Sequence, residues 1–282
     1  MATTESQPSS SSSSVYATNH TPAVLRTHQW RTATNSAPHL LPHLRPDMTI
    51  LDVGCGPGTI TVDLARHHVP RGRVTGIECV PAPLAAAREH AAALGVRNVD
   101  FRLGDALDLR GFPDGSVDVV HAHQVLQHVA RPVDALRAMR RVARCLVSLR
   151  ETARMDWFPR LPGLDRWYRI YRRVAEFRGG HPDPGADLLP IWLREAGFDV
   201  DDPARVRRST GSWCFRSAED RAWWSGVWME RVVSEAFVTG AVEAGVVEGK
   251  GELEEIRDAW REWGMCEGAW FVVEHGEVVC WV

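Results

Sequence analysis

The chain has 282 residues, of which 44% are apolar, enough to build one large domain around a packed core. Its formal net charge of −3 argues against a surface that coats nucleic acid. Lys250 is the only lysine and lies in a segment rich in Glu and Gly, which disfavours an enzyme that works through a Schiff base. The six cysteines are scattered and form no C-x-x-C pair, so we predict neither a metal site nor a disulfide framework.

The amino-terminal part of the chain divides into two segments. Residues 1–20 are rich in Ser, Thr and Pro, a composition typical of a disordered tail. They contain no Lys or Arg and no secretory signal, and no apolar run in the chain is long enough to cross a membrane, so we expect a cytoplasmic protein. Residues 21–45 carry apolar side chains at helical spacing, interrupted by Pro38 and Pro42, and predict one or two helices that cover the domain.

Residues 46–150 alternate between short apolar runs and longer amphipathic runs. This alternation is typical of a doubly wound, Rossmann-like α/β fold, in which helices cover both faces of a mostly parallel sheet. Strands are predicted at about 48–53, 73–78, 98–103, 117–121 and 145–149, and helices at about 59–68, 82–94 and 132–143.

Beyond residue 150 the pattern changes. Residues 151–186 combine aromatic side chains with Pro and Gly, and predict a helical, aromatic insertion after strand five that folds over the functional site. Residues 187–282 predict the last elements of a seven-stranded sheet with a C-terminal antiparallel strand, so that 21–282 form a single domain. These elements are helices at 188–196, 218–236 and 252–263, a strand at 206–215, and two strand segments at 269–274 and 278–282 separated by His275-Gly276.

The junction between the first strand and the first helix holds Gly54, Gly56 and Gly58, framed by Asp52 and Thr59. Glycine permits positive φ and has no Cβ, so the backbone of this turn can lie directly against a ligand. Thr59 is a candidate N-cap, and the free N–H groups of the helix start would face the same ligand. The spacing D-x-G-x-G-x-G differs from the dinucleotide pattern G-x-G-x-x-G, because threonines occupy positions 59 and 61 where its last glycine would stand.

Two acidic residues end the second and third predicted strands, at the edge where open α/β sheets bind their ligands. A carboxylate at Glu78 can accept hydrogen bonds from both hydroxyls of a ribose. Asp105 can accept a hydrogen bond from an adenine amino group, while the N–H of Ala106 donates to a ring nitrogen. The simpler alternatives are a helix N-cap or surface role for Glu78 and an Asx turn at Asp105.

The stretches Leu51–Thr59, Ile77–Glu78, Gly104–Ala106 and Asp118–His128 together resemble the ubiquinone/menaquinone-type (UbiE-type) branch of class I S-adenosylmethionine (SAM)-dependent methyltransferases. The wider chain is similar to fungal and actinobacterial methyltransferase-domain proteins of secondary metabolism, with shared stretches at 28–36, 121–128 and 213–228. The resemblance implies a SAM-binding core at 46–150 and an acceptor-side insertion at 151–186. It implies that SAM is held by Asp52, Gly54, Cys55, Gly56, Gly58, Thr59, Glu78, Cys79, Gly104, Asp105 and Ala106, with His121 and Gln124 near its methionine part.

The sequence departs from that branch before the fifth predicted strand. Members of the branch carry a proline and paired glycines there, whereas this chain runs from Arg141 to Leu146 without them. The departure concerns the geometry of the fifth strand and the acceptor side, and it leaves the SAM side unchanged.

The polar segment His28–Asn35 precedes the first strand, a position from which it can cover the methionine part of SAM. Arg31 could pair there with the ligand carboxylate, and Trp30 could line the acceptor pocket. The alternative is that Arg31 and Asn35 form a solvated helix face at positions i and i+4.

Histidines cluster at and after the fourth predicted strand. His123 and His121 are the first candidates for a catalytic base, ahead of His128, because the pKa of a histidine lies near neutrality. Glu151, directly after the fifth strand, is a further candidate. The alternative is that no base is needed, since methyl transfer from a sulfonium to a nucleophilic acceptor requires little more than alignment.

The tryptophans are concentrated in the C-terminal half of the chain. Trp157, Phe158 and Trp213 are predicted to line a substrate pocket together with Trp30 and His128, because aromatic walls suit an apolar ligand. Plain packing of helices on the sheet is the alternative.

The sequence therefore predicts a SAM-dependent methyltransferase that acts on a small, largely apolar or aromatic acceptor and releases S-adenosylhomocysteine. It predicts no nucleic-acid partner, no membrane span and a monomer or homodimer. A non-catalytic SAM-binding regulator and an NAD(P)-dependent oxidoreductase are the alternatives, and the glycine spacing disfavours the second.

Overall fold

The computed structural model describes the backbone of residues 22–282 and the side chains from Arg26 onward, so the tail predicted at residues 1–20 lies outside the described residues. The strands are β1 (Thr49–Val53), β2 (Arg73–Glu78), β3 (Val99–Leu103), β4 (Val117–His123), β5 (Ala143–Phe158), β6 (Val206–Phe215) and β7 (Trp270–Trp281). The helices are α1 (Pro22–Gln29), α2 (Ala33–Ser36), α3 (Thr59–Asp63), α4 (Pro81–Ala93), α5 (Pro132–Val142), α6 (Pro162–Phe177), α7 (Leu188–Glu195), α8 (Ala218–Val232), α9 (Glu235–Glu243) and α10 (Lys250–Met265).

Short irregular helices complete the backbone. Leu41–His43 and Leu126–His128 are 3₁₀ turns, and α3 continues into a π-helical turn at Leu64–His68. Among the helices of residues 22–282, none combines the length and the apolar character that a membrane crossing requires.

The strands form a seven-stranded sheet in the order β3-β2-β1-β4-β5-β7-β6. Strands β1 to β5 pair in parallel, and β7 lies antiparallel between β5 and β6. This confirms the predicted Rossmann-like sheet with its C-terminal antiparallel strand. Because β1 lies between β2 and β4, the carboxyl ends of these three strands meet at one edge of the sheet, where the predicted ligand-binding turn is found.

Strand β5 is longer than the sequence predicts. It was expected to end at Leu149 but continues to Phe158, because β7 pairs with it from Leu146 to Phe158. The insertion predicted at 151–186 therefore begins within the sheet, and α6 follows it. The missing proline and glycines before this strand correspond to a direct connection, since α5 ends at Val142 and β5 begins at the next residue.

The two strand segments predicted at the C terminus form one strand, so the predicted break at His275-Gly276 is wrong. Gly276 pairs with Glu151 on one side and with Thr210 on the other. A Cβ at Gly276 would lie 2.0 Å from the carbonyl oxygen of Gly185. The glycine therefore permits a close approach of the α6–α7 connection to the sheet and does not make a turn.

The helix predicted at 218–236 is also divided. Helix α8 ends at Val232, and Ser234 begins α9 by accepting a hydrogen bond from the N–H of Phe237. A serine hydroxyl can satisfy a free donor at a helix start, so the chain turns here at little cost.

An aromatic core fills the space between α6, α8, α10 and β7. The Trp167 ring lies 4.5 Å from the Trp228 ring and 4.8 Å from the Trp260 ring, measured between centroids, both edge to face. Trp263 and Phe271 belong to the same buried cluster. Much of the tryptophan content of the C-terminal half thus serves helix-to-sheet packing, the alternative weighed for it above.

We predict that Trp260→Ala lowers the free energy of unfolding by about 3–5 kcal/mol, because the large buried ring leaves a cavity that its neighbours fill only in part. Urea unfolding followed by circular dichroism measures the change. Met265→Ala in the same helix is the control, since this side chain is 73% exposed and its loss should cost less than about 0.5 kcal/mol. Equal effects of the two substitutions would contradict the assignment of this core.

Candidate active site

The turn between β1 and α3 presents bare backbone to a large cavity. Gly54, Gly56 and Gly58 have φ values of 69°, 54° and 74°. A Cβ at Gly56 would meet within 4 Å only the Nδ1 of His28, at 3.6 Å, so the absent side chain leaves open space beside the turn. A Cβ at Gly58 would lie 2.7 Å from that of Ala87, and Gly58 packs against α4 without lining the cavity. Gly56 is therefore the position where a ligand can lie against the main chain.

Backbone donors hold the Glu78 carboxylate at the end of β2. Its Oε1 accepts hydrogen bonds from the N–H groups of Cys79 (2.8 Å) and Val80 (3.2 Å), and the Cys79 thiol lies 3.2 Å from the same oxygen. Its Oε2 accepts a hydrogen bond from the Gly56 N–H at 3.2 Å. Each carboxylate oxygen accepts about two hydrogen bonds, so Oε2 keeps capacity for a ligand in the cavity that Glu78 and Cys79 line.

Asp105 forms the Asx turn that was the simpler alternative for it, and it also lies at the wall of the cavity. Its Oδ1 accepts a hydrogen bond from the Leu107 N–H at 2.9 Å, which is the Asx turn. Asp105 also lines the cavity, together with Gly104 and Ala106. The local turn thus presents this carboxylate at the cavity wall.

Asp52 supports the turn from beneath. The Thr61 hydroxyl donates to its Oδ2 at 2.6 Å, and Asp52 is almost fully buried. Burial, reinforced by the neighbouring charge of Glu78, raises the pKa of Asp52 to about 7 against the opposing effect of the Thr61 hydrogen bond. Burial therefore favours the protonated form of this carboxyl, compared with an exposed aspartate.

The end of α1 and the segment that follows it cover the glycine turn, where Thr27, His28, Trp30 and Arg31 line the cavity. The Thr59 hydroxyl donates to the carbonyl oxygen of His28 at 3.0 Å, and the N-cap position predicted for Thr59 is occupied by Gly58. The Ala33 N–H donates to the Asp63 Oδ2 at 2.7 Å. These bonds fix the amino-terminal cover to α3.

Arg31 lies in the cover and lines the cavity. Its Nη2 donates to the Oε1 of Gln124 at 2.8 Å, and its Nη1 lies 3.4 Å from the Nδ1 of His123. The structure therefore places Arg31 at the site and not on a solvated helix face. Trp30 is part of the same wall, in edge-to-face contact with Trp213 at 5.2 Å.

The backbone carbonyl oxygen of Asn35 links this cover to strands β5 and β6. It accepts hydrogen bonds from the Arg150 Nη1 at 2.6 Å and from the Trp213 Nε1 at 2.7 Å. Arg150 is buried, and Glu277 lies 3.5 Å from its Nε. Burial lowers the pKa of Arg150 to about 10, so the guanidinium stays charged at neutral pH, with Glu277 favouring the charge.

Gln124 connects Arg31 to the same buried network. It has a φ of 53°, unusual for a residue other than glycine, and its N–H donates to the carbonyl oxygen of Arg150 at 2.7 Å. Its Nε2 donates to the Thr152 hydroxyl at 3.0 Å and lies 3.0 Å from the His275 Nε2. The amide that contacts Arg31 is thus oriented by residues of β5 and β7.

His123 and His128, which both line the cavity, have pKa values below the usual value for histidine, so the neutral ring is favoured at physiological pH. Burial lowers the pKa of His123 well below its usual value, and the charges of Arg31 and Arg150 lower it further. Burial lowers the pKa of His128 to about 4, helped by the charges of Arg31 and Arg231. Since a guanidinium only donates, the His123 Nδ1 beside Arg31 is an acceptor, and the ring proton is on Nε2.

Two of the predicted catalytic residues do not line the cavity. His121 is fully buried beneath it, with its Nδ1 3.2 Å from the Ser148 hydroxyl. Glu151 accepts hydrogen bonds from the N–H groups of Val125 (2.9 Å), Leu126 (2.8 Å) and Gln127 (3.3 Å). Burial raises the pKa of Glu151 to about 7, and the three bonds oppose this rise. Glu151 therefore anchors the 3₁₀ turn that carries His128.

Aromatic rings wall the half of the cavity that lies away from the glycine turn. The cavity and its open mouth enclose about 1500 Å³. Trp157 and Phe158, predicted for this wall, lie elsewhere, because Trp157 stacks on Phe271 in the aromatic core and Phe158 is 51% exposed. The residues that form this wall are Trp30, His128, Thr152, Met155, Tyr171, Trp213, Trp223, Trp224, Trp228, Arg231 and Val273.

Sequence reasoning missed several residues of the site. Arg150 and His275 lie in strands whose length was underestimated, and Tyr171 and Arg231 lie on helices α6 and α8 with no motif around them. The amphipathic pattern of α6 was the available signal for Tyr171, but it does not separate a cavity-lining ring from a core ring.

The sequence is similar to those of known methyltransferases. Residues 44–167 match the methyltransferase domain family. The chain is 31% identical to a probable methyltransferase, ltbC, of Aspergillus luteorubrus, over 94% of this chain and 96% of the relative. It is 30% identical to a demethylmenaquinone methyltransferase of Symbiobacterium thermophilum, over 57% of this chain and 72% of the relative.

A solved structure shares this fold. The solved structure of the YcgJ protein from Bacillus subtilis superposes with a TM-score of 0.54, covering 86% of this chain and 98% of that chain at 14% sequence identity. At this identity the likeness concerns the fold, which agrees with the strand order described above.

We predict that His121→Asn makes stability less sensitive to acid. Burial lowers the pKa of His121 from 6.5 to about 4, so below pH 6.5 the unfolded chain binds a proton that the folded chain does not bind. The free energy of unfolding therefore falls as the pH falls from 6.5 to 4, and the variant should flatten this slope by about 1.4 kcal/mol per pH unit.

Urea unfolding at a series of pH values measures the slope. His67→Asn removes an imidazole from an exposed position and serves as the control. Identical slopes for the wild type and His121→Asn would contradict the prediction, whatever the overall stability of the variant.

Proposed function

The chain belongs to the class I SAM-dependent methyltransferases, and we propose that it transfers a methyl group from SAM to a small, largely apolar or aromatic acceptor. The observation that carries this proposal is that the open space at Gly56 and the buried Glu78 carboxylate border one cavity whose far half is aromatic. A methyl donor and an apolar acceptor fit the two halves.

The residues of the first half fit an adenosyl ligand. Glu78 keeps hydrogen-bonding capacity at Oε2 for ribose hydroxyls, beside the bare backbone of Gly56. Asp105 would accept from the adenine amino group, and the Ala106 N–H would donate to the ring. Cys55 and Cys79 border the same space.

The residues between the two halves suit the amino-acid part of the ligand. Arg31, which lines the cavity, offers a guanidinium that matches a carboxylate. Gln124, held by Thr152 and His275, keeps Arg31 at this position.

When bound, SAM supplies an electrophilic methyl group on a sulfonium. The chain's contribution is alignment and exclusion of water. The geometry does not favour His123 as a base, because its Nδ1 lone pair faces Arg31 and burial lowers its pKa. Nor does it favour Glu151, which is bonded to three backbone N–H groups. We propose that the acceptor is already nucleophilic when it binds.

The experiment that tests the function compares the remaining alternatives. Methyl transfer from isotopically labelled SAM to members of a panel of small aromatic acceptors supports an enzyme. Binding of SAM without transfer to any acceptor would indicate the regulator, and binding of NADH in place of SAM would indicate the oxidoreductase.

We predict that Glu78→Gln weakens binding of both S-adenosylhomocysteine and methylthioadenosine by about 10- to 100-fold, because each contains the ribose that the carboxylate would hold. Isothermal titration calorimetry measures the affinities. Glu89→Gln, on the exposed face of α4, should leave them unchanged. Unaltered affinity in folded Glu78→Gln would exclude the assigned ribose site.

We predict that Arg31→Gln separates the two ligands. It should weaken S-adenosylhomocysteine by about tenfold or more and leave methylthioadenosine unchanged, since the second ligand lacks the carboxylate. The same calorimetry decides the outcome. Equal losses for both ligands would show that Arg31 acts by supporting the cavity as a whole.

A further inference from the structure

The phenol of Tyr171 borders the aromatic half of the cavity. Its ring stacks on that of Trp167 at 5.9 Å and contacts that of Trp228 edge to face at 5.7 Å, measured between centroids. Tyr171 lines the cavity, and among the described residues none forms a hydrogen bond with its hydroxyl. Tyrosine hydroxyls inside proteins usually find a hydrogen-bond partner, so a ligand in the cavity is the partner that remains for this one.

Tyr168, three residues earlier on α6, has a hydroxyl that is bonded within the chain. It donates to the Oδ2 of Asp183, an oxygen that also lies 3.8 Å from the Arg172 Nε. Tyr168 is not one of the residues that line the cavity. Helix α6 thus carries two tyrosines that differ in function: the hydroxyl of Tyr168 holds the α6–α7 connection, and that of Tyr171 is left for the cavity.

Tyr171 keeps its proton at neutral pH. Burial raises the pKa of its phenol, and the negative charge of Asp183 raises it further, against the opposing charges of Arg231 and Arg31. Because the usual pKa of tyrosine is already about 10, a raised value leaves the phenol protonated. Tyr171 is therefore a hydrogen-bond donor and not a base.

The hydroxyl of Thr152, in the same half of the cavity, is also oriented as a donor. A guanidinium only donates, so the Gln124 Oε1 accepts from Arg31 and the Gln124 Nε2 donates to the Thr152 Oγ1. Among the described residues no acceptor takes the proton of the Thr152 hydroxyl itself. A ligand beside Thr152 thus also meets a donor.

Beyond Thr152 the strand wall of the cavity is apolar. The register of β5 against β7 shifts between Thr152 and Arg154, and the next residue of β5 that lines the cavity is Met155, paired with Val273. Such an irregularity re-aims the side chains of a strand. The two hydroxyl groups therefore lie at separate positions in a largely apolar wall, an arrangement that fixes the orientation of a ligand.

We propose that Tyr171 determines acceptor specificity by donating a hydrogen bond to an oxygen of the acceptor, which is therefore an aromatic molecule that carries a hydrogen-bond-accepting oxygen. This proposal rests on the proposed function, because it assigns the aromatic half of the cavity to the acceptor. It agrees with a site without a free base, since a phenol that keeps its proton orients the acceptor and does not deprotonate it.

The experiment uses the full chain saturated with S-adenosylhomocysteine, so that the cofactor half is filled. The probes are 2-acetylnaphthalene and 2-isopropenylnaphthalene, which have nearly the same shape, although only the ketone has an oxygen. Equilibrium dialysis measures both affinities. We expect Tyr171→Phe to weaken binding of the ketone by about tenfold and to leave binding of the alkene unchanged, because the ring remains and only the donor is lost.

Infrared difference spectroscopy observes the hydrogen bond directly. The ketone is labelled with ¹³C at its carbonyl carbon and bound to the wild type or to Tyr171→Phe. A hydrogen bond to a carbonyl oxygen lowers the C=O stretching frequency, so the band should lie lower in the wild type. A residue that only supports the shape of the cavity would leave this band in place.

Tyr168→Phe is the matched control, because it removes a phenol hydroxyl from the same helix at a position that does not line the cavity. It should leave the ratio of the two affinities and the carbonyl band unchanged. The affinity for S-adenosylhomocysteine, measured in each variant, reports whether the cofactor half is intact.

An unchanged ketone affinity in folded Tyr171→Phe, equal losses for the two probes, or a wild type that does not bind the ketone would each overturn this proposal. The proposed function fails separately, if S-adenosylhomocysteine does not bind to the wild type. Saturable S-adenosylhomocysteine binding together with any of the three outcomes therefore rejects the Tyr171 hydrogen bond alone.

Discussion

The two halves of the cavity are held together at the carbonyl oxygen of Asn35. This atom accepts hydrogen bonds from Arg150 on β5 and Trp213 on β6, and so joins the amino-terminal cover to these two strands. Such an arrangement requires a buried guanidinium, which is stable only with partners, and Glu277 and His275 provide them. This junction and the hydrogen bond from Arg31 to Gln124 together set the position of Arg31 relative to the aromatic wall.

Burial sets the charge state of most of the site. The rings of His121, His123, His128 and His275 stay neutral because burial and nearby guanidinium groups lower their pKa values. Burial acts in the opposite direction on carboxyl groups, as at Asp52. Positive charge in the cavity is thus carried by arginines, which cannot lose a proton at physiological pH, and these groups hold and orient ligands without moving protons.

The sequence predicted β1, β2 and β4 closely because parallel strands buried on both faces read as short apolar runs bounded by turn residues. The ends of the parallel strands, with Gly56, Glu78 and Asp105, line one cavity as expected. The extents of β5 and β7 were not predictable in this way, because each is lengthened by a partner more than a hundred residues distant. Composition likewise gave no means to separate Trp213 in the cavity wall from Trp157 in the core, since both positions select the same side chain.

Glu78 has a further consequence for how a ligand is recognised. Its carboxylate is held by three backbone N–H groups contributed by Gly56, Cys79 and Val80, so its rotamer is fixed during folding. The Glu78 side chain therefore loses little additional conformational entropy when a ligand binds, so less of the favourable interaction free energy is offset by ordering. The Glu78 side chain is accordingly preorganised for its ligand and does not need to change its rotamer on binding.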